Sequence, residues 1–107
     1  MKNLFITGRN VRLTKPIKNF IKKELSQHQR VAKKYKYLKV EILKEESRLD
    51  DIRIKISMSI ESKYIRIERR GKNFYELFNS LQKSLFEEIL KLKEIEMRKD
   101  RLQKELI

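Results

Sequence analysis

The chain has no cysteine, a single proline, two glycines and one histidine in 107 residues. Without cysteine there is no disulfide framework, no thiol nucleophile and no thiolate metal site. Two glycines do not make a glycine-rich phosphate loop. The lone His28 has no partner at metal-ligand or catalytic spacing. The longest apolar run is three residues, Leu4 to Ile6, too short to span a membrane. Met1-Lys2-Asn3 leads directly into strand-like sequence, without the apolar region of a secretory signal. His28, four residues after Glu24, reads as a half-buried packing residue, and Asp50-Asp51 as the solvated entry to a strand. These absences point to a non-enzyme that is cytoplasmic, with no cofactor, metal ion, small-molecule substrate or membrane partner.

Positive charge is what the sequence has in excess. It carries 28 Lys and Arg against 15 Asp and Glu, a net charge of +13, with a hydrophobic content of 39% that supports one small core. A polyanionic partner is the expectation. The excess is concentrated. Residues 1–35 hold ten basic residues against one acid, a net of +9, whereas residues 36–71 contribute +3 and residues 72–107 contribute +1.

Asn3 to Thr7 reads as a strand, with Gly8-Arg9-Asn10 as its turn. Thr14 is placed to cap a helix with Pro16 in its first turn, and Ile17, Phe20, Ile21 and Leu25 give that helix an apolar stripe running to residue 30–35. Leu38, Val40 and Ile42 alternate as a second strand, and Ile52 to Ile60 alternate without interruption as a third. After Glu61-Ser62-Lys63 as a hairpin connection comes a fourth strand, with Ile65 and Ile67 inward and Tyr64, Arg66 and Glu68 outward. Asn73 caps a second helix on which Phe74, Leu77, Phe78, Leu81, Leu85, Ile89, Leu92 and Ile95 form one stripe. The order β-α-β-β-β-α predicts an α+β, two-layer α/β sandwich: a four-stranded sheet with both helices on one face. Residues 1–95 form the domain and residues 96–107 a helical or frayed extension.

On the first helix, Lys18, Lys22, Lys23, Arg30, Lys33 and Lys34 fall opposite the apolar stripe with no acid among them. Like charges at this spacing repel, so an unmixed face is costly unless phosphates neutralise it. A lysine-rich surface kept for solubility is the alternative. Arg9 and Arg12 flank the first turn, and Lys83, Lys91 and Lys93 lie on the second helix, so side-by-side helices would carry one basic stripe. Only Tyr64 is securely placed on the outward sheet face, so base stacking on the sheet is not expected. Phe74 and Phe78, flanked by Phe86 and Tyr75, read as core.

Two stretches carry a resemblance. Ile6-Thr7-Gly8-Arg9-Asn10-Val11 followed by Thr14, Ile17, Phe20 and Ile21, and then Gly71-Lys72-Asn73-Phe74-Tyr75-Glu76-Leu77-Phe78-Asn79, resemble the ribosome hibernation-promoting factors. These are also called ribosome-associated inhibitor A or light-repressed protein. The resemblance spans about residues 3–95. It implies a partner, the small ribosomal subunit and its rRNA. There the factor occupies the decoding region, blocks mRNA and tRNA positions, and silences idle ribosomes. It also implies the short form, since 107 residues leave no room for the C-terminal dimerising domain of long members. The chain departs from the family at Ser84 and Glu87, where a Lys and then an Arg are usual, and at Glu24, where a basic residue is common. Asn73 and Asn79 replace acids, whereas Lys91 and Lys93 match. These departures shift the expected RNA contact toward the first helix and its turn, on a chain that is monomeric off the ribosome.

Two other readings stay open. A generic double-stranded RNA-binding domain shares the α-β-β-β-α order. A helix-mediated interaction module would use the approximate heptad of Phe78, Leu81, Leu85, Leu92, Ile95, Leu102 and Leu106, which Glu88 and Lys99 interrupt.

Overall fold

The computed structural model describes residues 3–27, 35–44, 51–60 and 63–105. Its elements follow the predicted order: β1 (Leu4–Arg9), α1 (Lys15–Ser26), β2 (Tyr35–Lys44), β3 (Ile52–Ile60), β4 (Lys63–Gly71) and α2 (Phe74–Glu105). The four strands form one mixed sheet in the order β1-β2-β3-β4. β1 and β2 run parallel, because α1 carries the chain back between them; β2, β3 and β4 pair antiparallel. None of the described helices is long and apolar enough to cross a membrane.

Alternation in the strands makes the sheet one-sided. The pairing places Leu38 beside Met58, Val40 beside Ile56, and Ile42 beside Ile54, all buried. Met58 in turn lies beside Ile65. Ile21 and Leu25 of α1 and Phe78, Leu81, Leu85 and Ile89 of α2 complete the same apolar cluster. Both helices therefore cover one face, and every large side chain sealed there contributes about 1.5–3 kcal/mol. On α2, the Glu76 amide donates to Asn73 Oδ1 at 3.2 Å, so Asn73 is the N-cap that its position predicted.

Several boundaries differ from expectation. β1 extends through Gly8 and Arg9, which moves the turn to Asn10, in the left-handed region at φ 57°. The short polar side chain of Asn tolerates that conformation. Asn3, also left-handed at φ 60°, ties the entry of β1 to β2: its Nδ2 donates to the Lys36 carbonyl at 3.0 Å, and its own carbonyl accepts from the Leu38 amide at 3.0 Å. α1 stops at Ser26, short of the predicted residue 30–35, once its apolar stripe runs out at Leu25. β2 starts at Tyr35, earlier than alternation alone indicated, because Tyr35 and Tyr37 pair with Ile60 and Ser59. Lys63 belongs to β4 rather than to the hairpin connection. His28, Asp50, Glu61 and Ser62 lie outside the described residues.

Gly8 shows how the chain after β1 is held. It lies on the core face beside Ile42, and Leu13 folds back over it. A Cβ built at Gly8 would sit 2.8 Å from Leu13 Cγ and 3.1 Å from the Val11 carbonyl oxygen. The first neighbour is a side chain that can yield; the second is backbone. Gly8→Ala is therefore expected to cost about 1–3 kcal/mol. That corresponds to a fall of at least about 4 °C in a thermal melt. An unchanged melting temperature would show that this close approach does not constrain the fold.

Candidate nucleic-acid interface

α1 is amphipathic because Ile21 and Leu25 are sealed on the sheet, with Ile17 and Phe20 partly so, which turns Lys15, Lys18, Lys22 and Lys23 to solvent. Thr14 occupies the N-cap position with extended backbone, and its carbonyl accepts from the Lys18 amide at 3.1 Å, but its hydroxyl makes no capping bond. No acid stands in the first turn, so the positive end of the helix dipole adds to the lysine charge. Among the described residues, none of these four lysines is in an ion pair. Lys18 and Lys22 are one turn apart, a like-charge spacing that costs about 0.2–0.5 kcal/mol without a counter-ion. Lys15 joins this surface although it was not among the predicted contacts.

Glu24, the one acid on α1, serves the helix seam instead. Its Oε2 accepts from Gln82 Nε2 at 3.0 Å, and the same amide donates to Asn79 Oδ1 at 3.0 Å. Gln82 is buried. Beside this polar pair, Phe20 meets Tyr75 edge-on at 4.9 Å and Phe78 at 5.7 Å. Tyr75 was expected in the core, yet it is 50% exposed: it covers Phe20 with one edge while the other meets water. On the helical wheel, Phe20 and Glu24 face α2, so Lys18 and Lys22 occupy the opposite flank of α1. Lys23 stands on the crest between them.

The other predicted contact residues scatter around this surface. Arg12 is exposed on the connection that enters α1. Arg9 ends β1 beside Leu43, so the pleat turns it to the sheet face away from both helices. Lys83 is exposed on the α1 side of α2, whereas Lys91 turns to the β4 side and pairs with Glu88 at 3.5 Å. Such an exposed pair is worth little and yields readily to phosphate. Lys93 lies within α2. Arg30, Lys33 and Lys34 fall outside the described residues. The stripe envisaged over both helices thus centres on α1, with Lys83 across the seam. Among the described residues no cluster of three His, Cys, Asp or Glu is suited to a metal ion.

Residues 4–96 match the family profile described as sigma 54 modulation protein / S30EA ribosomal protein. The chain belongs to this family. No curated protein matches the sequence significantly. Among solved structures, the S30EA fold recurs in a ribosomal subunit interface protein from Coxiella burnetii, 13% identical, with a TM-score of 0.76 over 84% of this chain and 96% of that one. It recurs also in the Thermus thermophilus Protein Y N-terminal domain, 18% identical, with a TM-score of 0.70 over 82% and 94% of the two chains.

At Ser84, where the resemblance implies a lysine, α2 carries a hydroxyl. Arg69, on the helix-facing side of β4, donates from Nη2 to the Ser84 hydroxyl at 2.9 Å. A guanidinium therefore stands at the place where the α2 cation is missing, supplied by a strand fifteen residues away. No helical periodicity reveals such a replacement; only the sheet register does.

The Glu24–Gln82 bond generates a stability prediction. A double-mutant cycle with Glu24→Ala and Gln82→Ala should give a coupling of about 1 kcal/mol in urea unfolding. Strict additivity would mean that the bond does not hold the helix seam.

Proposed function

We propose that this chain is a ribosome hibernation factor. It sits in the decoding region of the small ribosomal subunit and silences translation by occupying mRNA and tRNA positions. The single observation that carries the reading is the α1 surface: four exposed lysines with no acid among them, on a chain of the S30EA family. The description of the Coxiella relative as a ribosomal subunit interface protein supports the same partner.

The mechanism is occupancy rather than chemistry. Helix side chains do not enter the deep, narrow major groove of A-form RNA, but ammonium groups follow its phosphates. Lys15, Lys18, Lys22 and Lys23 meet rRNA phosphates from α1, with Arg12 at its entry and Lys83 beside it. Arg69 and Lys91 extend the contact at the β4 side of α2. A folded domain held there excludes mRNA and tRNA sterically, so no catalytic group is needed. Outside the ribosome the protein acts as a monomer.

Attachment to purified small subunits tests this. Neutralising about five to seven phosphates gives a log–log salt dependence with a slope of roughly −4 to −6. The Lys18→Glu/Lys22→Glu double variant should fold normally, lose most co-sedimentation at moderate salt, and fail to inhibit translation by purified ribosomes. Its slope should be shallower by about two. A salt-independent association, or full inhibition by the charge-reversed protein, contradicts the reading. Equal displacement by any RNA duplex would instead identify a generic double-stranded RNA binder.

A further inference from the structure

The sheet face turned away from the helices is open, and it is not merely polar. Phe5 on β1 and Tyr64 on β4 are 52% and 61% exposed. Tyr37 on β2 lies between them. Its ring is 6.2 Å from that of Phe5, tilted by 47°, and burial, with the neighbouring Tyr64 hydroxyl, raises its pKa above the ordinary tyrosine value. The register explains the meeting: Tyr37 and Tyr64 both pair with Ser59, whose short side chain lets the two rings reach across β3. Three aromatic residues thus form a band from one edge of the sheet to the other. At about 4.8 Å between strands, the band crosses roughly 14 Å.

The strands give this face a net positive charge. Among the described residues, the pleat places Arg9, Lys39, Arg53, Lys55, Arg66 and Arg70 here, against Glu41 and Glu68, for a net of +4. Both acids are engaged: Glu41 with Lys39 at 3.0 Å and Glu68 with Arg53 at 2.9 Å. Exposed rings beside positive charge match a partner that offers flat apolar faces and phosphates together. Unpaired nucleotides do so; a duplex hides its base faces within the stack. A second copy of this chain would bring the same positive face against itself.

We infer that the outward sheet face is a second nucleic-acid site, specific for single-stranded RNA, in which Phe5, Tyr37 and Tyr64 stack two or three bases. Lys55 and Arg66 hold the intervening phosphates. Because this face is opposite α1, the site does not depend on the ribosomal reading, and both surfaces can be occupied together.

Fluorescence anisotropy with a labelled oligouridylate of about ten nucleotides tests the site. Phe5→Ala/Tyr64→Ala should weaken binding roughly tenfold or more. Both side chains are largely exposed, so the unfolding curve should stay close to wild type. Tyr64→Phe, which keeps the ring and loses the hydroxyl, should retain most affinity. The Lys18→Glu/Lys22→Glu variant should bind the oligonucleotide within about twofold of wild type while losing small subunits, which separates this site from the helix surface. Absence of oligonucleotide binding, indifference to ring removal, or equal displacement by a duplex would each overturn the proposal. So would a mass that rises with concentration and falls on Tyr64→Ala, since the band would then be a self-association surface.

Discussion

Everything distinctive about this molecule depends on the burial of one side of its sheet. Leu38, Val40, Ile42, Ile54, Ile56 and Met58 all project to the same face, and among the described residues two amphipathic helices cover them. Once α1 and α2 are committed there, their polar surfaces face outward together and the other side of the sheet is left open. Two surfaces of opposite orientation follow from a single apolar requirement. A register slip of one residue in β3 would exchange the core for the ladder of Arg53, Lys55, Ser57 and Ser59, so the hydrophobic pattern fixes both surfaces at once.

The acids are distributed in a way that leaves positive charge where it faces solvent. Glu24 is drawn into the seam with Gln82, Glu41 and Glu68 hold cations on the sheet, and Glu88 restrains Lys91 on α2. None of them neutralises α1. A net charge of +13 destabilises a compact chain through self-repulsion, and an anionic partner relieves that cost. The positive surface of α1 is thus a consequence of where the carboxylates are placed, as much as of how many lysines there are.

The elements governed by local periodicity were legible in the sequence: the five alternating apolar residues of β3, the long stripe of α2, the Asn73 cap, and the β-α-β-β-β-α order with both helices on one face. Features that depend on what strands pair with were not. Arg9 looked like part of a turn beside the helices, but the extension of β1 sends it to the opposite face. Tyr37 fell outside the alternation read for β2, so the band it forms with Phe5 and Tyr64 was hidden until the register brought three separate strands together. The Arg69–Ser84 bond was invisible for the same reason. Tyr75 misled because it sits at the border of an apolar stripe, where one edge packs and the other stays wet. Of the candidate contacts, the lysines of α1 were readable because a helix displays its faces in sequence.

Density for this chain on small ribosomal subunits is the most direct measurement of the central claim, that α1 is the rRNA-facing surface. It should show the ammonium groups of Lys15, Lys18, Lys22 and Lys23 within ion-pair reach of rRNA phosphates, with the Phe5–Tyr37–Tyr64 face turned away from that contact. A bound orientation in which α1 faces solvent, while another surface holds the rRNA, would contradict it.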